Sequence, residues 1–193
     1  MKFLKTEKGT FGYLNKQRII EIVRTIFMFA CAIILYLIGF ITLKTNKNIW
    51  TILAVLSILP AAKSAVSMIM FLRFSSITNE EYETVENCRG AIPIIYELVF
   101  TTTEKAYYIK SAACCDNTCI LLYDNRTKVD TSKEIKDHLM SSASRDGLSG
   151  YTFKIYTNLD DYNKRLTEMN NNLNGSEDVT SSRLFALFKA ITI

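Results

Sequence analysis

The sequence predicts a membrane-anchored α+β protein: a two-helix transmembrane hairpin followed by a small soluble domain with a mostly antiparallel sheet of about four strands and three to four helices. Three observations carry this. Two long apolar blocks lie within the first 72 residues. The charge balance changes sign near residue 76. Beyond that point, hydrophobic periodicities of two and of 3.6 residues alternate between turn-forming clusters.

The first block, Ile26 to Leu43, has no charged side chain in 18 positions and is bounded by Arg24 and Lys44. As a helix it is about 27 Å long, enough for the hydrocarbon core of a bilayer. The second block, 49–72, is interrupted only by Lys63. The five residues 44–48 between them leave room only for a tight hairpin, so the two helices cross in opposite directions. A cleaved signal peptide is the rival reading of the first block. Its apolar run is longer than the usual h-region, and no small-x-small cleavage site follows it.

Orientation follows from Lys and Arg near the span ends. The tail 1–25 carries six, Lys44 and Lys47 flank the loop, and Arg73 follows the second span. The expected protein is therefore a multi-pass protein of the cell membrane with both termini cytoplasmic and loop 44–48 external. Within the tail, Ile19, Ile20, Ile22 and Val23 interleave with Arg18, Glu21 and Arg24, as in an interfacial helix running into the span.

Residues 1–76 hold ten Lys or Arg against two acids, a balance of +8, whereas the remainder holds 13 against 17, a balance of −4. The basic character thus belongs to the anchor, where anionic lipid is the natural partner, and nucleic-acid binding by the soluble part 77–193 is not expected.

After the second span, Thr78 and Glu81 form a capping box for a helix that Gly90 and Pro93 end. The acids Glu80, Glu81, Glu83 and Glu86 read as its solvated face. Three strand candidates follow, Glu97 to Thr103, Ala106 to Cys114 and Thr118 to Tyr123, joined by short turns as an antiparallel meander. The third is apolar on both faces and should be central. Thr131 and Glu134 suggest a second capping box, opening a helix with Ile135, Leu139, Met140 and Ala143 on one side. Alternation from Tyr151 to Tyr156 marks a half-buried strand. Asn158 then caps a helix whose Tyr162, Leu166 and Met169 form one stripe. The last segment, Ser181 to Ile193, is an amphipathic helix that packs on the sheet or docks on a membrane or partner.

Few residues are candidates for chemistry. The five cysteines, Cys31, Cys88, Cys114, Cys115 and Cys119, form a poor disulfide framework, and reduced thiols are expected. Cys114, Cys115 and Cys119 could be drawn as zinc ligands, but adjacent cysteines on a strand point to opposite faces and the spacing is wrong for a structural zinc site. His138 is the only histidine, so a histidine base would have to be this one. The order helix, three strands, helix, strand, helix resembles the core of restriction-endonuclease-like folds. Such a core implies a metal site with an acid-x-Lys triplet. The strand here reads Tyr108-Ile109-Lys110, and Tyr cannot replace the carboxylate; Glu97, Asp124 and Lys110 remain a conceivable cluster. No motif implies a cofactor. Sequons at Asn125 and Asn174 matter only outside the cytoplasm.

Lys63 is the most unusual residue, since a charge near a span centre costs about 2.5 to 3.5 kcal/mol on insertion scales. It follows Pro60, which frees a backbone carbonyl. Either Lys63 and Pro60 belong to a helix interface through which the hairpin self-associates, or the true span is shifted toward the N-terminus and Lys63 snorkels to headgroups. The expected function is a membrane-tethered cytoplasmic module that binds a protein or ligand without catalysis; the alternative is a tethered metal-dependent phosphodiester hydrolase.

Overall fold

In the computed structural model the described residues are 7–44, 49–102, 105–124, 131–148, 150–172 and 179–192. The sequons and most of the 44–48 loop lie outside them. The chain forms two compact units: residues 14–75, grouped with 1–6, and Glu7–Tyr13 together with Ser76–Ile193.

The first unit is a helical hairpin. α1 (Tyr13–Leu43) and α2 (Ile49–Arg73) are each long and apolar enough to cross a membrane. The basic stretch 16–24 forms the first turns of α1 and merges into the apolar segment without a break. The buried positions recur at seven-residue and three- or four-residue spacing: Leu14, Glu21, Thr25, Ala32 and Gly39 on α1, and Ala54, Ala61, Ser64 and Phe71 on α2. This is a heptad seam made mostly of small side chains, which let two backbones approach closely in lipid. Across it Thr25 and Ser64 share a hydrogen bond of 2.9 Å, and Arg18 donates to the carbonyl of Phe74. α2 continues through Pro60.

The second unit is a four-stranded sheet, order β1-β2-β3-β4, with helices on both faces. β1 (Ile94–Thr101), β2 (Ala106–Cys115) and β3 (Thr118–Tyr123) form the expected antiparallel meander, and β3 is interior. β4 (Thr152–Tyr156) pairs parallel to β3, so the sheet is mixed, with two of its three pairings antiparallel as expected. The cause is the connection: α4 (Ser132–Arg145) intervenes, and a helical crossover returns the chain in the same direction. One face carries α3 (Asn79–Arg89) and α5 (Leu159–Asn171) over Tyr96, Ala113, Ile120 and Leu122. The other carries α4 and α6 (Val179–Ile191) over Leu98, Phe100, Ile109 and Phe153.

α6 packs in this second core through Leu184, Leu187 and Phe188, and Thr192 bridges to Phe100. The tail also belongs here. The carbonyl of Gly9 accepts from the Tyr96 N–H at 2.9 Å, Lys8 donates to the Thr192 carbonyl, and Phe11 stacks on Tyr82 with ring centroids 4.1 Å apart.

Two caps differ from each other in outcome. Thr78 and Glu81 form the reciprocal box, each bond 3.2 Å. Thr131 makes no side-chain cap; its hydroxyl donates to the Tyr123 hydroxyl, while Glu134 accepts from Lys105 and Tyr107. Longer-range side-chain partners, buried for Thr131 and exposed for Glu134, take the place of the local bond. At Gly90 the chain turns with φ 54°, and an added Cβ would lie 2.2 Å from Oδ1 of Asn170, the oxygen that accepts from Ala91 N–H.

Candidate functional site

The expected cluster of Glu97, Lys110 and Asp124 exists, and its position depends on a break in both β1 and β2. Tyr96 faces α3 and α5, whereas Leu98 and Phe100 both face α4 and α6, so the alternation shifts phase at Glu97. Glu97 has φ 54°, uncommon for a side chain that is not Gly, Asn or Asp. Opposite it, the β2–β3 register slips between Ile109 and Ser111, leaving Lys110 as the bulged residue. Paired irregularities thus bring Glu97 and Lys110 to the face covered by α3.

There Lys110 Nζ lies 2.7 Å from Glu81 Oε1 and 4.0 Å from Asp124 Oδ1. Glu97 is fully buried and accepts from the Ser76 hydroxyl. Tyr108 lies among them: burial, then the charges of Glu97, Asp124 and Glu81, push its phenol far above the usual range. Burial alone would raise the Glu81 carboxyl, but Lys110 and Thr78 outweigh it and hold that group below its ordinary value. Two of the four α3 acids expected to be solvated are therefore engaged, Glu81 here and Glu86 with Tyr96 and Arg89. Among the described residues no group of three or more His, Cys, Asp or Glu is arranged to hold a metal ion. Lys110 serves as counterion to carboxylates, so the cluster works as a polar pin between α3 and the sheet.

Cys114 and Cys119 depart from expectation. They are directly opposed in the β2–β3 register and joined by a disulfide rather than held as thiols. The two-residue turn at Asp116, whose φ is 51°, brings them face to face. The bond removes two of the three sulfurs from any zinc set. Cys115 points to the α3/α5 side, away from Cys114, as strand alternation requires.

His138 lines a cavity of about 410 Å³ with Thr101, Ser142, Arg145, Asp146, Leu187 and Ile191. Burial, and then the charge of Arg145, lowers its pKa below the ordinary 6.5. The unfolded chain therefore takes up the proton first as pH falls. The stability contributed by neutral His138 is complete above 6.5 and is lost as pH falls toward and through the depressed native value. His138→Gln is expected to flatten the dependence of Tm on pH between about 7 and 5. An unchanged slope would place the titration elsewhere.

A second cavity, of about 420 Å³, lies between α4 and β4 and is lined by Ser132, Lys133, Lys136, Phe153, Lys154, Ile155 and Tyr156. Its three lysines are exposed, and among the described residues its lining contains no acid. The sequence reading missed it, because Lys154 on β4 is 18 or more residues from Lys133 and Lys136 on α4 and only the parallel β3–β4 pairing brings the two elements together.

Lys63 and Pro60 are exposed on the outer surface of the hairpin, one and four residues before Ser64 of the seam. Compared with known proteins, the chain matches no family model, no curated protein and no solved structure.

Proposed function

We propose that the protein is a membrane-tethered cytoplasmic module that binds an anionic, phosphate-bearing ligand in the trough between α4 and β4. The observation that carries this is the concentration of Lys133, Lys136 and Lys154 around one cavity in a part of the chain with a negative balance. Three flexible ammonium groups suit a multiply charged anion, and Phe153, Ile155 and Tyr156 offer an apolar wall for whatever carries it. The hairpin supports tethering. Two antiparallel spans would return the chain to the side from which it entered.

The test is pyrophosphate binding by the full-length protein in detergent, read as a rise in Tm with ligand concentration. Exposed ion pairs contribute up to about 1 kcal/mol each, so Lys133→Gln, Lys136→Gln and Lys154→Gln together are expected to weaken binding roughly 5- to 150-fold. Equal affinity of the triple variant would reject the trough. Titrating Mn²⁺ in the same assay addresses the second reading, a metal-dependent phosphodiester hydrolase, which is favoured by the strand order and by the convergence of Glu97, Asp124 and Lys110 near Tyr108. Saturable Mn²⁺ binding lost on Glu97→Ala would shift the balance toward it.

A further inference from the structure

We infer that Arg24 and Lys63 form a two-cation clamp for the headgroup of an anionic phospholipid. The inference rests on the hairpin being embedded in a bilayer, and it begins from the seam. The bond between Thr25 and Ser64 sets these two residues at one level on antiparallel helices. The apolar segment of α1 begins at the next residue and runs about 27 Å from there, the thickness of a hydrocarbon core. Lys63 is therefore at the edge of the core, not at its centre. The apparent cost of a mid-span charge disappears.

Arg24 and Lys63 each precede a seam residue by one position, a rotation of about 100° around each helix. In parallel helices equal steps would carry the two side chains to opposite flanks. In antiparallel helices the sense of rotation reverses between them, so both residues emerge on the same flank of the hairpin. Their backbones are then separated by about one interhelical distance, 8 to 10 Å, which two long cationic side chains can close around a phosphate. Both are exposed, with 61% of the Arg24 side chain accessible. Arg24 has one weak partner, Glu21 Oε1 at 3.7 Å, and most of its guanidinium fork remains available. Exposed Phe27 and Leu59, each about one helical turn deeper than Arg24 and Lys63 on the same flank, are apolar and suit the acyl chains beneath the headgroup.

The experiment uses the full-length protein from cell membranes. Resistance to an alkaline carbonate wash reads embedding. The protein is then delipidated in detergent and titrated with phosphatidylglycerol or phosphatidylcholine, with bound lipid counted by native mass spectrometry. The expected result is preferential phosphatidylglycerol binding, weakened about five-fold by Lys63→Gln or Arg24→Gln and restored by Lys63→Arg. Release by carbonate would overturn the embedding and the clamp with it. Carbonate-resistant protein that binds both lipids alike, or whose phosphatidylglycerol affinity ignores Lys63→Gln, would overturn the clamp alone. So would a Lys63→Gln variant that loses self-association while keeping its lipid, since Lys63 would then belong to a helix interface.

Discussion

Lys110→Met is expected to destabilise the sheet unit by about 2 to 4 kcal/mol. The lysine side chain is 18% exposed, and it is the cation that faces Glu81 and Asp124, which are 25% and 16% exposed. Removing it leaves these carboxylates and buried Glu97 around Tyr108 with their mutual repulsion unscreened. Partial access to water keeps the loss below the upper limit for a fully buried pair. Glu81→Gln alone should cost less, because Lys110 retains Asp124 and Gln can still close the cap with Thr78. The double variant Lys110→Met/Glu81→Gln should recover part of the loss, with a coupling of about 1 to 3 kcal/mol. Hydrogen exchange at the β1 and β2 amides of the full-length protein reads the sheet unit separately from the hairpin. Loss below about 0.5 kcal/mol would mean that water replaces the lysine, and the polar-pin account would fail.

Legibility from sequence followed the range of the interaction. Elements set by local periodicity were readable: the stripe of α5, the Thr78–Glu81 box and the fully apolar TCILLY strand all form as their spacing suggests. Glu97 and Lys110 also stood out, each a charge in an otherwise apolar strand. What lay beyond reading was the phase shift that turns them to one face, since a bulge depends on partner strands and α3 rather than on local spacing. Glu81 was hidden for a different reason, because its capping role already explained it. Thr131 showed the limit of a motif: the letters of a capping box were present, but Tyr123 and Lys105 offered competing bonds. The small-residue seam at Ala32, Gly39, Ala54 and Ala61 has heptad spacing but went unread. It was masked by the uniform hydrophobicity around it.

The remaining prediction ties sidedness to the Cys114–Cys119 pair. In a variant without native cysteines, Asn46→Cys should react with an impermeant maleimide in intact cells, whereas Lys133→Cys should react only after permeabilisation. In the native protein, alkylation before and after reduction should find Cys114 and Cys119 joined, as in the structure. Two observations pull in opposite directions. A disulfide between them points to an oxidising compartment. The cations favour the cytoplasm for the tail and the sheet unit, because Lys63 joins the tail side once the Thr25–Ser64 level is taken as the edge of the core, leaving Lys44 and Lys47 alone at the loop. The charges win because they act first. Topology is set while the hairpin inserts, before the β2–β3 pairing that opposes the two sulfurs exists. The pair itself is fully buried once the sheet has formed, which shields the bond from the cytosolic thiol pool. Labelling at 133 from outside together with an oxidised pair would reverse the orientation and bring Asn125 and Asn174 into use as glycan acceptors in a eukaryotic host. Protection at 133 with an oxidised pair would keep both the orientation and the buried bond.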